Sequence, residues 1–158
     1  MSHVTTAWLA LLLLIAPACA QTPRDFQPAQ LRGFPRATLD IQRRDGKDTL
    51  KIWIADTEAR QEQGLMWVRD MPRDYGMVFP LNPPRPMVMW MKNTYVSLDM
   101  LFYDSEGHIT HIVERATPLS ETNIFSGAAV AGVVEILGGE VARRGIRLGD
   151  KVVINSPH

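Results

Sequence analysis

Short stretches in which apolar and polar residues alternate recur along this chain, and turn-forming residues separate them. Residues 37–41 and 50–54 each alternate in this way, and Asp45-Gly46 lies between them. Successive side chains of a strand point to opposite faces of a sheet, and Asp-Gly is a preferred two-residue hairpin turn. The pattern predicts an opening β-hairpin with one buried face, and so a core built from strands.

The same reading extends to the C-terminal part of the chain. Further strands are predicted over residues 76–79, 95–103, 108–116, 130–137 and 151–154. Two short helices are predicted, one after Thr57 that Gly64 closes, and one over Glu140–Arg144 between glycines. The prolines of residues 83–86 are expected to leave regular structure. The predicted fold class is mainly β or α+β, a compact barrel-like β domain of six or seven short strands with two short helices.

The N-terminal residues predict export. Residues 7–16 are a continuous apolar run that is too short to span a bilayer as a helix, and Ala18-Cys19-Ala20 follows as an A-x-A cleavage signal. We therefore predict a signal peptide over residues 1–20, a flexible Pro-containing leader over 21–36, and one globular domain over 37–155. The expected location is periplasmic or secreted.

Cys19 is the only cysteine of the chain and has a second interpretation. Ala16-Pro17-Ala18-Cys19 resembles a lipobox, in which case the protein would be a lipoprotein anchored to a membrane through Cys19. If cleavage instead follows Ala20, the mature protein has no cysteine, and no disulfide supports its fold.

The charge balance of the chain limits its partners. The 17 basic and 17 acidic residues cancel, so no basic field is available to hold nucleic acid. A small molecule, a glycan or an envelope protein is the more natural partner, and no cofactor is expected.

Six short segments occur in an order that resembles the bacterial family known as domain of unknown function 192. They are Gly64-Leu65-Met66, Gly76-Met77-Val78-Phe79, Trp90-Met91-Lys92-Asn93-Thr94, Leu98-Asp99-Met100-Leu101-Phe102, Glu135-Ile136-Leu137-Gly138-Gly139 and Gly145-Ile146-Arg147-Leu148-Gly149-Asp150. The resemblance covers roughly residues 39–153. It implies an exported protein with a compact β-rich fold, and it implies no particular activity.

Candidate ligand-binding residues cluster before and within the predicted central strands. They are Trp90, Lys92, Asn93, Thr94, Asp99 and Glu135. Three hydrogen-bonding side chains in succession beside an aromatic one can orient a polar ligand, and the two carboxylates would be costly to bury alone. The leading hypothesis is a non-catalytic module that binds a small ligand or a partner. The structural alternative is that each carboxylate pairs with Lys92, Arg85 or Arg69 and fixes the strand register.

Two other functions remain open on the sequence. An envelope hydrolase could use Asp99 and Glu135 as acid and base. A copper protein could use Met87, Met89 and Met91, which alternate along a predicted strand and so share one face. Against a single copper site, the outer two residues of such a strand lie about 13 Å apart.

Overall fold

The computed structural model describes residues 25–155, which contain nine strands, two short α-helices and one turn of 3-10 helix at Ala29–Leu31. The strands are β1 (Arg36–Arg43), β2 (Gly46–Ile54), β3 (Tyr75–Arg85), β4 (Val88–Met89), β5 (Leu98–Tyr103), β6 (Ile109–Ala116), β7 (Ile124–Phe125), β8 (Val130–Leu137) and β9 (Lys151–Asn155). The helices are α1 (Glu58–Gln63) and α2 (Glu140–Arg144).

Seven of these strands form one sheet in the order β6-β5-β8-β3-β2-β1-β9. Only β2 and β3 pair in parallel, and α1 lies in the connection between them. The sheet is not closed into a barrel, but a single bridge between His108 and Lys151 brings its two edges together at one end. Strands β4 and β7 form a separate two-stranded ribbon. The prediction of a compact, mainly β domain is confirmed.

The local signals in the sequence account for most element boundaries. The predicted hairpin of β1 and β2 is present, but its two-residue turn is Arg44-Asp45, one position earlier than predicted, and Gly46 is the first residue of β2. Helix α1 begins where the Thr57 hydroxyl accepts a hydrogen bond from the Arg60 N–H, and it ends at Gly64, whose φ of +48° lies in the left-handed region.

Both faces of the sheet are buried, each by its own apolar cluster. Because side chains alternate along β5, Met100 joins the cluster on one face and Leu101 the cluster on the other. Val141 of α2 and Ile146, just after the helix, join the Leu101 side. Helix α1 and the loops after it lie over the Met100 side, which also carries the candidate site.

Strand β3 differs from its prediction, since it continues through Pro83 and Pro84 to Arg85. Proline cannot donate a hydrogen bond to a neighbouring strand. The pairing of β3 with β8 is interrupted between Pro80 and Arg85, so these prolines lie where no backbone N–H is needed for pairing with β8.

Part of the predicted flexible leader also differs from its prediction. Over its described residues this segment packs on the domain, with Leu31 and Phe34 buried in the cluster on the Met100 side. Two apolar residues three positions apart within a Pro-rich segment carry no periodic signal, and only the tertiary contacts reveal their burial. The predicted signal peptide, including Cys19, lies outside the described residues. Within residues 25–155, no helix has the length and apolar character needed to cross a membrane.

Candidate functional site

A cavity of about 490 Å³ opens on the Met100 side of the sheet. Helix α1 and Leu65-Met66 form one wall, the outer part of β3 forms a second, and residues 86–94 form a third. Glu135 of β8 lies at its floor. The cavity therefore lies between a central strand and three surface segments that are far apart in the sequence.

The strand register explains why Glu135 reaches this cavity. In β8 it lies opposite Met77 of β3 and Met100 of β5, and directly opposed residues of antiparallel strands share a face. Met77 and Met100 are both fully buried in the cluster beneath the cavity. Glu135 is thus a carboxylic acid at a position that the rest of this face fills with apolar side chains.

Burial dominates the chemistry of Glu135. Its side chain is 3% exposed, and desolvation raises its pKa to about 8. No group within residues 25–155 hydrogen-bonds to its carboxyl or forms an ion pair with it. Burying a carboxylate without a partner is costly, so the group is largely protonated at neutral pH.

The walls nearest the floor are apolar. Leu65, Phe79 and Leu81 are buried there, and Met66, Met87 and Met89 add thioether side chains. Trp90 stands at the opening and is 42% exposed. The cavity can therefore receive an apolar group at depth and a larger or aromatic group at its mouth.

Charged side chains stand only on the outer part of the cavity. Glu58 and Glu62 of α1 provide two acids, and Arg85 and Lys92 provide two bases. All four are exposed to water, and none takes part in an ion pair with another described residue. Glu135 is the one charged or ionisable group lining the cavity that is removed from solvent.

The predicted ligand cluster is divided by the structure. Trp90, Lys92, Thr94 and Glu135 line the cavity, whereas Asn93 and Asp99 do not. The Thr94 hydroxyl donates a hydrogen bond to the Lys92 carbonyl at 3.2 Å, which leaves its oxygen on the cavity wall as an acceptor. Asn93 has a φ of +54°, and its carbonyl accepts the Trp67 N–H at 2.8 Å, so it shapes the turn.

Asp99 serves a structural purpose on the opposite face of the sheet. Its carboxylate accepts hydrogen bonds from the backbone N–H groups of Arg115, Gly139 and Val141 at 2.7 to 3.0 Å. Gly139 and Val141 lie at the start of α2, where free N–H groups need acceptors. Asp99 thereby joins β5, β6 and α2.

These positions correct two of the predictions. Asp99 lies opposite Ile136 while Glu135 lies opposite Met100, so the two carboxylates face opposite sides of the sheet and cannot act as an acid and base pair. The structural alternative required each carboxylate to pair with a cation, and neither does so within the described residues.

The predicted copper site is likewise not assembled. Met87 and Met89 line the cavity, but Met91 is fully buried in the core and does not. The regular strand here extends over Val88–Met89 only.

Among the cavity residues that the sequence analysis missed are Glu58, Glu62 and Met66. Each lies in or just after α1, and nothing in the local sequence indicates that this helix covers the central strands. The one available signal is Gly64-Leu65-Met66, which occurs among the segments of the family resemblance.

Comparison with known proteins agrees with that resemblance. Residues 40–154 match the model of domain of unknown function 192 (DUF192), described as "Uncharacterized ACR". A crystal structure from Sinorhizobium meliloti 1021, described as a candidate transcription regulator, is 40% identical with a TM-score of 0.75, and the match covers 77% of this chain and 95% of that chain.

A protein of unknown function from Novosphingobium aromaticivorans DSM 12444 is 32% identical with a TM-score of 0.77, and the match covers 82% of this chain and 91% of that chain. No curated protein matches the chain. The family model spans most of the chain, and both solved structures are similar to it in sequence as well as in fold. This protein therefore belongs to the DUF192 family of uncharacterized proteins.

Proposed function

We propose that this protein is a non-catalytic, exported binding domain that takes a small ligand into the cavity above Glu135. The observation that supports the proposal most directly is Glu135 at the cavity floor, a residue that is only 3% exposed and whose carboxyl group has no partner among residues 25–155. A polar group buried in this way weakens the fold unless something outside the chain satisfies it.

The dimensions and lining of the cavity agree with a small molecule. Ligand sites are mostly apolar clefts of about 300 to 1,000 Å³ that hold a few polar groups at fixed positions. Here apolar side chains surround Glu135, and the hydroxyl of Thr94 supplies a second polar group on the wall. Glu135 is the one buried ionisable group of the cavity. Because acid and base catalysis needs two groups acting on one substrate, this arrangement suits binding better.

The charge of this chain does not support extending to it the description of the Sinorhizobium relative as a transcription regulator. Transcription regulators that hold DNA directly need a surface field of basic residues, and this chain carries 17 basic against 17 acidic residues.

Export is the second part of the proposal and rests on the N-terminal sequence alone. Fractionation of producing cells, with mass spectrometry of the mature N-terminus, tests it. A chain that begins at Gln21 supports simple cleavage, and a chain that begins at a lipid-modified Cys19 supports the lipoprotein alternative. An uncut chain in the cytoplasm would exclude both.

Ligand binding is tested by screening the purified protein against a metabolite and glycan library and recording shifts in the melting temperature. We expect hits that stabilise the wild-type protein, and we expect Glu135→Gln to remove the shift. Glu114→Gln is the matched control, because Glu114 is an exposed acid of β6 that does not line the cavity. Hits that shift both variants equally would place binding elsewhere, and the absence of any hit would contradict the proposed function.

A further inference from the structure

We propose that the ligand of this cavity is an organic cation, an alkyl ammonium group attached to an apolar body, and that its charged nitrogen pairs with the Glu135 carboxylate. This inference rests on the proposed function and specifies its ligand class.

The charges that face Glu135 differ greatly in their exposure to solvent. Glu58 and Glu62 on α1, Arg85 on β3 and Lys92 in the third wall are all exposed, so water and salt screen them. Glu135 is removed from water, and electrostatic attraction is far stronger in such a low-dielectric site. The floor therefore attracts positive charge when Glu135 ionises, and the four outer charges cancel in sum.

Neither of the two cations at the opening satisfies Glu135. Lys92 and Arg85 both line the cavity, but neither forms an ion pair with Glu135 or with any other described residue. A cation small enough to enter the cavity can reach the floor and provide the charge that these residues do not provide. A carboxylate ligand would instead be repelled once Glu135 ionises.

The walls suit the rest of such a ligand. The side chains of Met66, Met87 and Met89 are flexible and polarisable, so they can pack against alkyl groups of different shape. Trp90 at the opening is 42% exposed and can cover the apolar end of the ligand that lies away from Glu135. A hydrated metal ion makes no use of these apolar surfaces.

Binding of an organic cation should depend on pH in one direction. Glu135 pairs with a cation only when it is ionised, and burial raises its pKa to about 8. For a ligand that stays protonated, affinity should therefore rise about tenfold between pH 7 and pH 9 and then level off. At pH 7, binding should also release close to one proton to the buffer, because the bound cation stabilises the ionised carboxylate.

The probes are three molecules of one shape, namely hexylammonium, hexanol and hexanoate. The readout is the ¹³C-methyl NMR spectrum of the methionines, because Met66, Met87 and Met89 line the cavity whereas Met77 and Met91 are fully buried and do not. We expect hexylammonium to shift the three cavity signals and to leave the buried signals in place. Hexanol and hexanoate should bind at least tenfold more weakly.

Glu135→Gln should reduce hexylammonium binding at least tenfold and remove its pH dependence. Glu62→Gln, which removes an exposed acid from the same cavity, should change it less than threefold. Equal or tighter binding of hexanol or hexanoate would overturn the inference and leave the proposed function in place. Failure of all three probes would also overturn it, and the library screen then decides independently whether the cavity binds any ligand.

Discussion

Asp99 and Glu135 show how differently one functional group behaves on the two faces of a single sheet. They lie on neighbouring strands, and both are almost fully buried. Three backbone N–H groups satisfy Asp99, and no described group satisfies Glu135. Asp99 therefore stabilises the fold, while burial of the Glu135 carboxyl weakens it.

The stability cost of Glu135 should depend on pH. Burial raises its pKa in the folded state to about 8, above its usual value near 4.5, so the folded state binds the proton more tightly than the unfolded state. Unfolding free energy is therefore lost as pH rises from about 5 to 8. Glu135→Gln cannot ionise and so does not lose this stability. The free energy of unfolding of the variant, relative to that of the wild type, should therefore rise by about 3 kcal/mol across that range.

Urea unfolding of both proteins at pH 5 and pH 8 measures this difference. Glu114→Gln serves as the control, and its stability relative to the wild type should be the same at both pH values. A constant difference between Glu135→Gln and the wild type would show that Glu135 is solvated or paired in solution.

Asp99→Asn should destabilise the protein by roughly 2 to 4 kcal/mol, because an amide nitrogen would face backbone N–H donors and at least one of them would lose its acceptor. Asp70→Asn is the matched control at an exposed position and should change stability by about 0.5 kcal/mol or less. Thermal or urea unfolding provides the measurement. A near-neutral Asp99→Asn would contradict the structural role of its three hydrogen bonds.

At the scale of elements, α2 is attached to the sheet by its first residue as well as by Asp99. The Glu140 carboxylate has no exposed area and accepts hydrogen bonds from Arg73, Arg143 and Arg144 at 2.5 to 2.8 Å. Arg144 is also nearly buried, and it reaches Asp48 of β2 at 3.2 Å. A helix of one turn has little stability of its own, so these contacts hold it in place.

Glu140→Gln should cost roughly 3 kcal/mol at pH 7, because it leaves the nearly buried Arg144 without its main partner. Burial acts to raise the pKa of Glu140, but hydrogen bonds from Arg143 and Arg144 hold it at about 2. The stabilisation is therefore complete above pH 4.5 and is lost as pH falls toward 2.

Unfolding experiments between pH 7 and pH 2.5 test this prediction. The difference in the free energy of unfolding between the wild type and Glu140→Gln should become smaller in acid. Glu121→Gln, which replaces an exposed acid, should match the wild type at every pH. A gap that stays constant to pH 2.5 would contradict the ionised network.

At the scale of the whole molecule, the segment before β1 completes the core. Leu31 is fully buried in the same apolar cluster as Met77 and Met100, which lie beneath the cavity. Arg60 of α1 donates a hydrogen bond to the Gly33 carbonyl at 2.8 Å, so this segment also holds the helix that forms a cavity wall. This segment, which the sequence analysis predicts to be a flexible leader, thereby supports the candidate site.

Leu31→Ala should lower the free energy of unfolding by roughly 2 to 5 kcal/mol, since it leaves a cavity in a packed core. Arg32→Ala, at the exposed neighbouring position, should change it by about 0.5 kcal/mol or less. Chemical denaturation of both variants measures the difference. Similar, small effects would show that the segment is detached in solution, as the leader prediction requires.

The sequence by itself was sufficient to predict the seven strands of the main sheet, the two helices and the fold class, but not β7 or the extension of β3 to Arg85. The hairpin of β1 and β2, the capped helix after Thr57 and the apolar strand β8 follow from periodicity and turn chemistry, which act between residues close in the chain. It also indicated Trp90, Lys92, Thr94 and Glu135, four of the residues that line the cavity.

Only the tertiary structure decided how those residues are used. Whether Asp99 meets a cation, a ligand or backbone N–H groups depends on residues 16 to 42 positions away, and no local pattern encodes that contact. The same holds for α1, because the sequence of its six residues does not indicate whether the helix covers a cavity or faces water. Strand pairing and helix docking bring distant residues together, and they leave one buried carboxyl, Glu135, without a partner in the part of the chain that the structure describes.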